Sequence, residues 1–157
     1  MWRQFEEYAE SYRHVRMRRE DGVLELVIHT EGGPAVWSAT MHEELGRCFW
    51  EVGRDAANKV VVLTATGDSF IAQTDHSGFA FTSLGMTPAR WDVVYNEGRH
   101  LISNLLAIEV PVVIAVNGPA VIHSELAVMG DVVIATPTRS GRTPTTSGVW
   151  SLATVCT

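Results

Sequence analysis

The sequence has few features of secreted, membrane or disulfide-rich proteins. It contains two cysteines, one inside a helical pattern and one next to the end, which predict neither a disulfide framework nor a metal site. No apolar run approaches transmembrane length, and the polar, acidic residues 1–7 lack the apolar segment of a signal peptide. We therefore expect no membrane association and a location in the reducing cytoplasm.

Lysine is nearly absent, because Lys59 is the only lysine among the 12 basic residues. We interpret this bias as GC-rich coding rather than as function. The net charge of -6 argues against nucleic acid as a partner. A chain of 157 residues with 46% hydrophobic and 19% charged residues predicts a single globular domain that can bury a core.

Strand and helix patterns alternate along the chain, which predicts an α/β fold with a mainly parallel sheet and flanking helices. A hairpin is predicted from strands at 15–19 and 23–29, and a buried strand from residues 59–65. Neither an internal repeat nor a Gly-rich phosphate loop is present in the sequence.

Two helices are predicted between these strands. One begins at a capping box formed by Thr40 and Glu43 and runs to about Val52. The other begins at Thr87 and Pro88, a cap followed by a first-turn proline. Their apolar faces are expected to contain Met41, Leu45, Cys48, Phe49 and Val52 in the first helix, and Trp91, Val94, Tyr95, Gly98, Leu101, Ile102, Leu105 and Leu106 in the second.

Residues 108–134 read as strand, turn, short helix and strand, with a β-branched run at 112–116. Asn117-Gly118-Pro119 interrupts that run, and His123-Ser124-Glu125 then places three polar groups in an apolar stretch. Polar residues that follow the carboxyl end of a parallel strand usually belong to a site. This stretch is therefore the first candidate for function.

The chain resembles the crotonase superfamily, the fold of enoyl-CoA hydratases, in three segments that occur in the expected order: VVVLTATGDSF, LLAIEVPVVIAVNGPA and SELAVMGDVVIAT. The resemblance implies a ββα spiral. Two departures argue against acyl-CoA chemistry. Gln73 replaces a glycine of the Phe-x-Ala-Gly-x-Asp loop, and Val121-Ile122-His123 replaces a Gly-Gly-Gly run that lets backbone approach the thioester.

Within that superfamily, roughly residues 5–136 are similar to 6-oxocamphor hydrolase and related β-diketone hydrolases, which cleave a C–C bond between two carbonyls. The resemblance implies that Trp37 hydrogen-bonds a substrate carbonyl and that His123 is an active-site histidine. Together they would hold the carbonyl and enolate oxygens. Glu125 aligns with a catalytic glutamate of the hydratases, although the hydrolase reaction does not require it as a base.

The resemblance also implies a pocket and an oxyanion hole. Phe79 matches an aromatic residue that lines the pocket, and Phe81 is a rival for the same role. Thr74 and Ile122 match the positions whose backbone N–H groups form the superfamily oxyanion hole. No cofactor or metal is implied, and we interpret His29, His42 and His100 as surface or packing residues because they lie at no metal-ligand spacing.

A second histidine and an aspartate, the water-activating dyad of the family, have no counterpart in residues 139–157, which contain no His, Asp or Glu. One reverse translation of that segment in another frame contains the family motif, so we hypothesise a frameshifted tail. Sequencing the coding DNA across Thr138 tests this. We accordingly expect residues 1–136 to form the N-terminal portion of the core and residues 137–157 an aberrant, disordered tail.

Three interpretations remain open. The leading one is a cofactor-free hydrolase of a small-molecule β-diketone, impaired in this truncated chain and forming homo-oligomers, as the trimers or hexamers of the family do. The second is an enoyl-CoA hydratase or isomerase that uses Glu125 as acid and base on an acyl-CoA. The third is a truncated, non-catalytic protein that assembles with itself or an intact relative. In each case we expect exposed apolar surface on the sheet and the long helix.

Overall fold

The computed structural model describes residues 3–78 and 87–136. A five-stranded sheet lies at its centre, with the strand order β1-β2-β4-β6-β7. These strands are β1 (Val15–Glu20), β2 (Val23–Ile28), β4 (Val60–Ala65), β6 (Val112–Val116) and β7 (Val132–Ala135). A separate pair is formed by β3 (Val36–Trp37) and β5 (Gln73–Thr74), and the helices are α1 (Phe5–Tyr8), α2 (Ala39–Val52) and α3 (Pro88–Leu106).

The first two strands form the predicted hairpin, paired antiparallel from Val15 opposite Ile28 to Glu20 opposite Val23. Asp21 and Gly22 both have positive φ, 52° and 87°, which is the backbone that a tight hairpin turn requires. The second strand then pairs in parallel with β4, which pairs in parallel with β6, which pairs in parallel with β7. The mixed, mainly parallel sheet expected from the sequence is confirmed, and it brings the carboxyl ends of β4 and β6 to one edge.

The start of α2 differs from the prediction. The cap is Ser38, not Thr40: its backbone is extended and its side chain accepts a hydrogen bond from the Met41 N–H at 3.2 Å. Thr40 already lies inside the helix, so the Thr40–Glu43 capping box does not form. The predicted apolar face is confirmed, because Met41, Leu45, Cys48, Phe49 and Val52 are all buried.

The start of α3 is as predicted, since the Thr87 side chain accepts a hydrogen bond from the Arg90 N–H and Pro88 occupies the first turn. Its predicted apolar face is buried only near the C-terminal end, at Leu101 and Leu105, where the helix packs against α2. Trp91 is 58% exposed and Leu106 62% exposed. Val132 and Ile134 on β7 are also exposed. The expected exposure of apolar surface on the sheet and the long helix is thus confirmed.

A partly buried polar cluster ties the N-terminal segment to the end of α2. Asp55 accepts hydrogen bonds from the Tyr8 hydroxyl at 2.9 Å and from the Arg19 guanidinium at 2.6 Å. Burial alone would raise the pKa of Asp55, but the Ala57 N–H, Tyr8 and Arg19 outweigh it, so the pKa lies below its ordinary value.

Among the described residues, no helix is long and apolar enough to cross a membrane.

Candidate active site

The loops after β4 and β6 are joined by Asn117. Its side-chain N–H group faces three carbonyl oxygens, those of Ala65 at 3.0 Å, Gly67 at 2.7 Å and Ser69 at 3.2 Å. The next residue, Gly118, lies so close to the Asp68 carbonyl that a Cβ there would overlap it. The turn signal in the sequence therefore corresponds to a close contact between two loops, which fixes the path of the chain towards residue 123.

His123 follows this turn in the left-handed region, with φ 46° and ψ 47°. That conformation costs a residue other than glycine roughly 1–2 kcal/mol. Residues held in it are found most often at functional sites, where the surrounding structure enforces the strain. Here its carbonyl accepts a hydrogen bond from the Leu126 N–H at 3.0 Å, at the start of a short 3-10 helix, Ser124–Ala127. Leu126 and Ala127 are buried and anchor that helix.

Trp37 is placed beside His123 by the small parallel pair. The carbonyl of Trp37 accepts a hydrogen bond from the Asp75 N–H at 2.7 Å, and Trp37 pairs with Thr74 across β3 and β5. The indole is buried and stacks on the His123 imidazole, with ring centroids 4.0 Å apart and an interplanar angle of 30°. The fold thus brings together two residues that the resemblance assigned to one site.

Glu125 contacts His123 through its carboxylate, which lies 2.5 Å from the imidazole Nδ1. Burial lowers the pKa of His123, and this outweighs the opposite influence of Glu125; nearby His42 lowers it further. The neutral imidazole is therefore favoured at neutral pH.

An open cavity of about 800 Å³ lies in front of the Trp37–His123 stack, within the size range of ligand sites. It is lined by Trp37, His42, Thr74, His76, Val94, Tyr95, Gly98, Arg99, Ile102, Ser103, Leu106, Ile122 and His123. Glu125 does not line it. Phe79 and Phe81, the predicted pocket aromatics, lie outside the described residues, as does the segment 137–157.

The two predicted oxyanion positions differ in their backbone. Thr74 lies opposite Trp37, and the neighbouring Asp75 N–H donates to the Trp37 carbonyl. Because successive N–H groups of a strand point to opposite sides, the Thr74 N–H points away from β3. The Ile122 N–H instead donates to the Ile71 carbonyl at 3.1 Å. Both residues line the cavity, but in this structure the Ile122 N–H already has an acceptor.

His42 is a cavity residue whose place in the site was not predicted. It is buried on α2, with its ring centroid 5.7 Å from that of Trp37 and 5.6 Å from that of His123. Its Nδ1 lies 3.1 Å from a carboxylate oxygen of Glu97 on α3. The signal was available in the sequence: with the helix beginning after Ser38, His42 lies near the start of the helix that follows Trp37 directly.

Asp75 caps the turn that follows β5, since its carboxylate accepts a hydrogen bond from the Ser77 N–H at 2.9 Å. That hydrogen bond lowers the pKa of the Asp75 carboxyl.

Within residues 3–78 and 87–136, no three His, Cys, Asp or Glu side chains are grouped in a way that could hold a metal ion.

No protein-family model matches the chain. A solved β-diketone hydrolase from the cyanobacterium Anabaena sp. PCC 7120, bound to (S)-3-oxocyclohexyl acetic acid, is 38% identical with a TM-score of 0.77, over 82% of this chain and 51% of that one. An enoyl-CoA hydratase/isomerase from Mycobacterium paratuberculosis is 21% identical with a TM-score of 0.69, over 79% and 49%, and indicates the fold alone.

A curated relative, 1,2-epoxyphenylacetyl-CoA isomerase of Escherichia coli (strain K12), is 29% identical over 145 residues, which cover 87% of this chain and 55% of the relative. The chain spans about half the length of the relatives it matches.

Proposed function

The chain has the fold of the crotonase superfamily, as its hydrolase, hydratase and isomerase neighbours do, and from that premise we propose that it cleaves the C–C bond between the carbonyls of a β-diketone. The observation that carries the proposal is the Trp37–His123 stack in the wall of the cavity. The 38% identity to a β-diketone hydrolase supports the same chemistry.

A retro-Claisen cleavage adds water to one carbonyl and releases the other as an enolate, so negative charge develops on oxygen at two places. The Trp37 indole N–H is a donor without acceptor capacity, and in a buried position it would stabilise one of these oxygens. Losing one donor of this type typically costs ~3 kcal/mol of barrier. We assign the second contact to the backbone N–H of Thr74, which lines the same cavity.

The charges around the cavity suit this reaction. Its lining includes Arg99, His76 and His42 but no carboxylate among the described residues. A site with basic groups favours a reaction that converts a neutral diketone into an enolate and then into a carboxylate. We therefore expect a neutral diketone as the substrate and a keto acid as the product.

Acyl-CoA isomerisation or hydration, with Glu125 as acid and base, is the second candidate because the curated isomerase matches most of the chain. Two contacts disfavour it. Glu125 is hydrogen-bonded to His123 and does not line the cavity. The Ile122 N–H is hydrogen-bonded to the Ile71 carbonyl, so a thioester oxygen would have to displace that carbonyl to reach it.

The test is a pair of Trp-to-Phe variants of the purified chain, titrated with a cyclic β-diketone by calorimetry and assayed for loss of the diketone. Trp37→Phe keeps the stacked ring but removes the N–H, so we expect Kd to rise about 3- to 10-fold, as for one lost hydrogen bond. Trp91→Phe, on the exposed part of α3 and outside the cavity lining, is the matched control.

Two results would contradict the proposal: tighter binding of an acyl-CoA than of any diketone, or equal Kd values for the two variants. Diketone binding that depends on Trp37, without any turnover, would favour a non-catalytic role for the chain.

A further inference from the structure

His123 lines the cavity, and Glu125 holds one of its two ring nitrogens. The Nδ1 atom lies 2.5 Å from the carboxylate of Glu125, which does not line the cavity, whereas His123 does. With Nδ1 engaged by Glu125, Nε2 is the ring nitrogen that remains for contact with a ligand in the cavity. Its protonation state decides what His123 can do to a bound diketone.

The partner of Nδ1 determines that protonation state. An ionised carboxylate only accepts hydrogen bonds, so the hydrogen bond to Glu125 requires the proton of a neutral imidazole to be on Nδ1. The Nε2 atom of that tautomer carries a lone pair and accepts protons. Neutral His123 thus cannot donate a hydrogen bond to a substrate carbonyl through Nε2, which differs from the donor role that the family resemblance implied.

We propose that Glu125 is a positioning residue that fixes the Nδ1–H tautomer of His123, and that Nε2 of His123 is the general base that deprotonates the attacking water. The assignment rests on the proposed hydrolase function. It places the base within the described core, at a residue whose backbone is left-handed.

The proton balance is complete without another reactant. Nε2 takes one proton from water as the hydroxide oxygen bonds to the carbonyl carbon, and Glu125 stabilises the imidazolium that forms. Collapse of the tetrahedral intermediate breaks the C–C bond, and its electron pair becomes the enolate. The imidazolium Nε2–H then returns the proton to the enolate carbon, which yields a ketone and a carboxylic acid and restores neutral His123.

The groups around His123 support a base that is neutral before the reaction. Trp37 covers one ring face at 4.0 Å and limits access of water. His42 lies 5.6 Å away on α2, paired with Glu97 of α3, and Arg99 and His76 belong to the same cavity wall. Burial lowers the pKa of His123 and His42 lowers it further, and together they outweigh the opposite influence of Glu125, so the neutral ring is favoured.

The first experiment measures the tautomer directly, by 15N NMR of the 157-residue chain labelled at histidine. We expect wild-type His123 to carry its proton on Nδ1, with Nε2 unprotonated. Glu125→Gln should shift the population towards the Nε2–H tautomer and lower the pKa of His123, because the carboxylate that favours the imidazolium is lost. Glu97→Gln, which alters the other His–carboxylate pair of the cavity, is the matched control and should leave the His123 tautomer unchanged.

The second experiment measures kcat and KM against pH with a cyclic β-diketone. We expect kcat to rise with pH through the ionisation of His123. Glu125→Gln should lower kcat about 100-fold with little change in KM, and Glu125→Asp should restore part of it. His123→Gln should bind the diketone but not turn it over.

The two hypotheses fail in different ways. If the chain binds no diketone in calorimetry, or binds it without ever cleaving it, the proposed function is wrong. If the diketone is cleaved but wild-type His123 is protonated on Nε2, or if Glu125→Gln leaves both the tautomer and kcat unchanged, the general-base assignment is wrong.

Discussion

Replacing Asn117 by aspartate tests whether the turn that positions His123 depends on a single amide. The Asn117 N–H group faces the carbonyls of Ala65, Gly67 and Ser69 within 3.2 Å. Asparagine and aspartate have nearly the same shape, so Asn117→Asp changes the chemistry and not the packing. The new carboxylate would direct an oxygen without a proton at three carbonyl oxygens.

The size of the effect follows from these contacts. A neutral hydrogen bond contributes about 0.5–1.5 kcal/mol net, and a buried acceptor left without a partner costs about 1–3 kcal/mol. Removing both N–H protons of the amide should therefore destabilise the chain by about 2–4 kcal/mol. Asn117→Ala loses the same hydrogen bonds without adding the repelling oxygen, so we expect a smaller loss of about 1–3 kcal/mol. Either value is a large share of the 5–15 kcal/mol typical of a domain.

Urea unfolding of both variants at about pH 7 and about pH 4 separates two contributions: the loss of the amide hydrogen bonds, which both variants share, and the repulsion between the new carboxylate and the carbonyls, which only Asn117→Asp has. The carbonyls disfavour the charged form, so the introduced carboxyl should have a raised pKa in the folded state. The extra penalty of Asn117→Asp over Asn117→Ala is then fully present above that pKa and disappears as the pH falls below the pKa of the unfolded chain. A stability of Asn117→Asp within about 0.5 kcal/mol of wild type, or an extra penalty that grows at low pH, would refute this reasoning.

Two further substitutions test the packing and the charge network. Gly118→Ala should destabilise the chain by about 3 kcal/mol, measured by urea unfolding, because its Cβ would overlap the carbonyl of Asp68 and the backbone must move; an unchanged midpoint would contradict the close approach. Asp55 has a lowered pKa, so its hydrogen bonds stabilise the fold above the ordinary carboxyl range and lose that effect as the pH falls through the folded pKa. The stability difference between wild type and Asp55→Asn should therefore shrink as the pH falls below the ordinary carboxyl pKa of about 4 and through the lowered folded pKa, and a difference that is constant with pH would show that the charge of Asp55 is not used.

Local patterns predicted most of the fold. The hairpin could be read from the turn residues between two alternating runs, and β6 from a β-branched run between proline and Asn117. The helix start was missed because Ser38 and Thr40 are both good caps. The choice between them depends on where β3 ends, which depends on its pairing with β5. That is a tertiary contact and leaves no local signal.

The site could be predicted only in part. Trp37 and His123 were identified by resemblance, and no periodicity in the chain indicates that their rings stack. The orientation of His123 depends on its hydrogen bond to Glu125, and the Ile122 N–H is engaged by the Ile71 carbonyl. Both hydrogen bonds form only in the folded chain, so local sequence patterns do not reveal them. His42 was interpreted as a surface or packing residue because it lies at no metal-ligand spacing, and its proximity to Trp37 and His123 is a tertiary contact.

At His123, whose backbone is left-handed, selection for stability and selection for a reactive side chain favour different residues. Glycine, or asparagine, adopts this conformation with less strain, so selection for stability alone would replace the histidine. A chain that keeps histidine here gives up some stability for a reactive ring at that point in space. Loss of the histidine at this position is therefore the expected signature of a lineage in which the chemistry of its ring is no longer under selection.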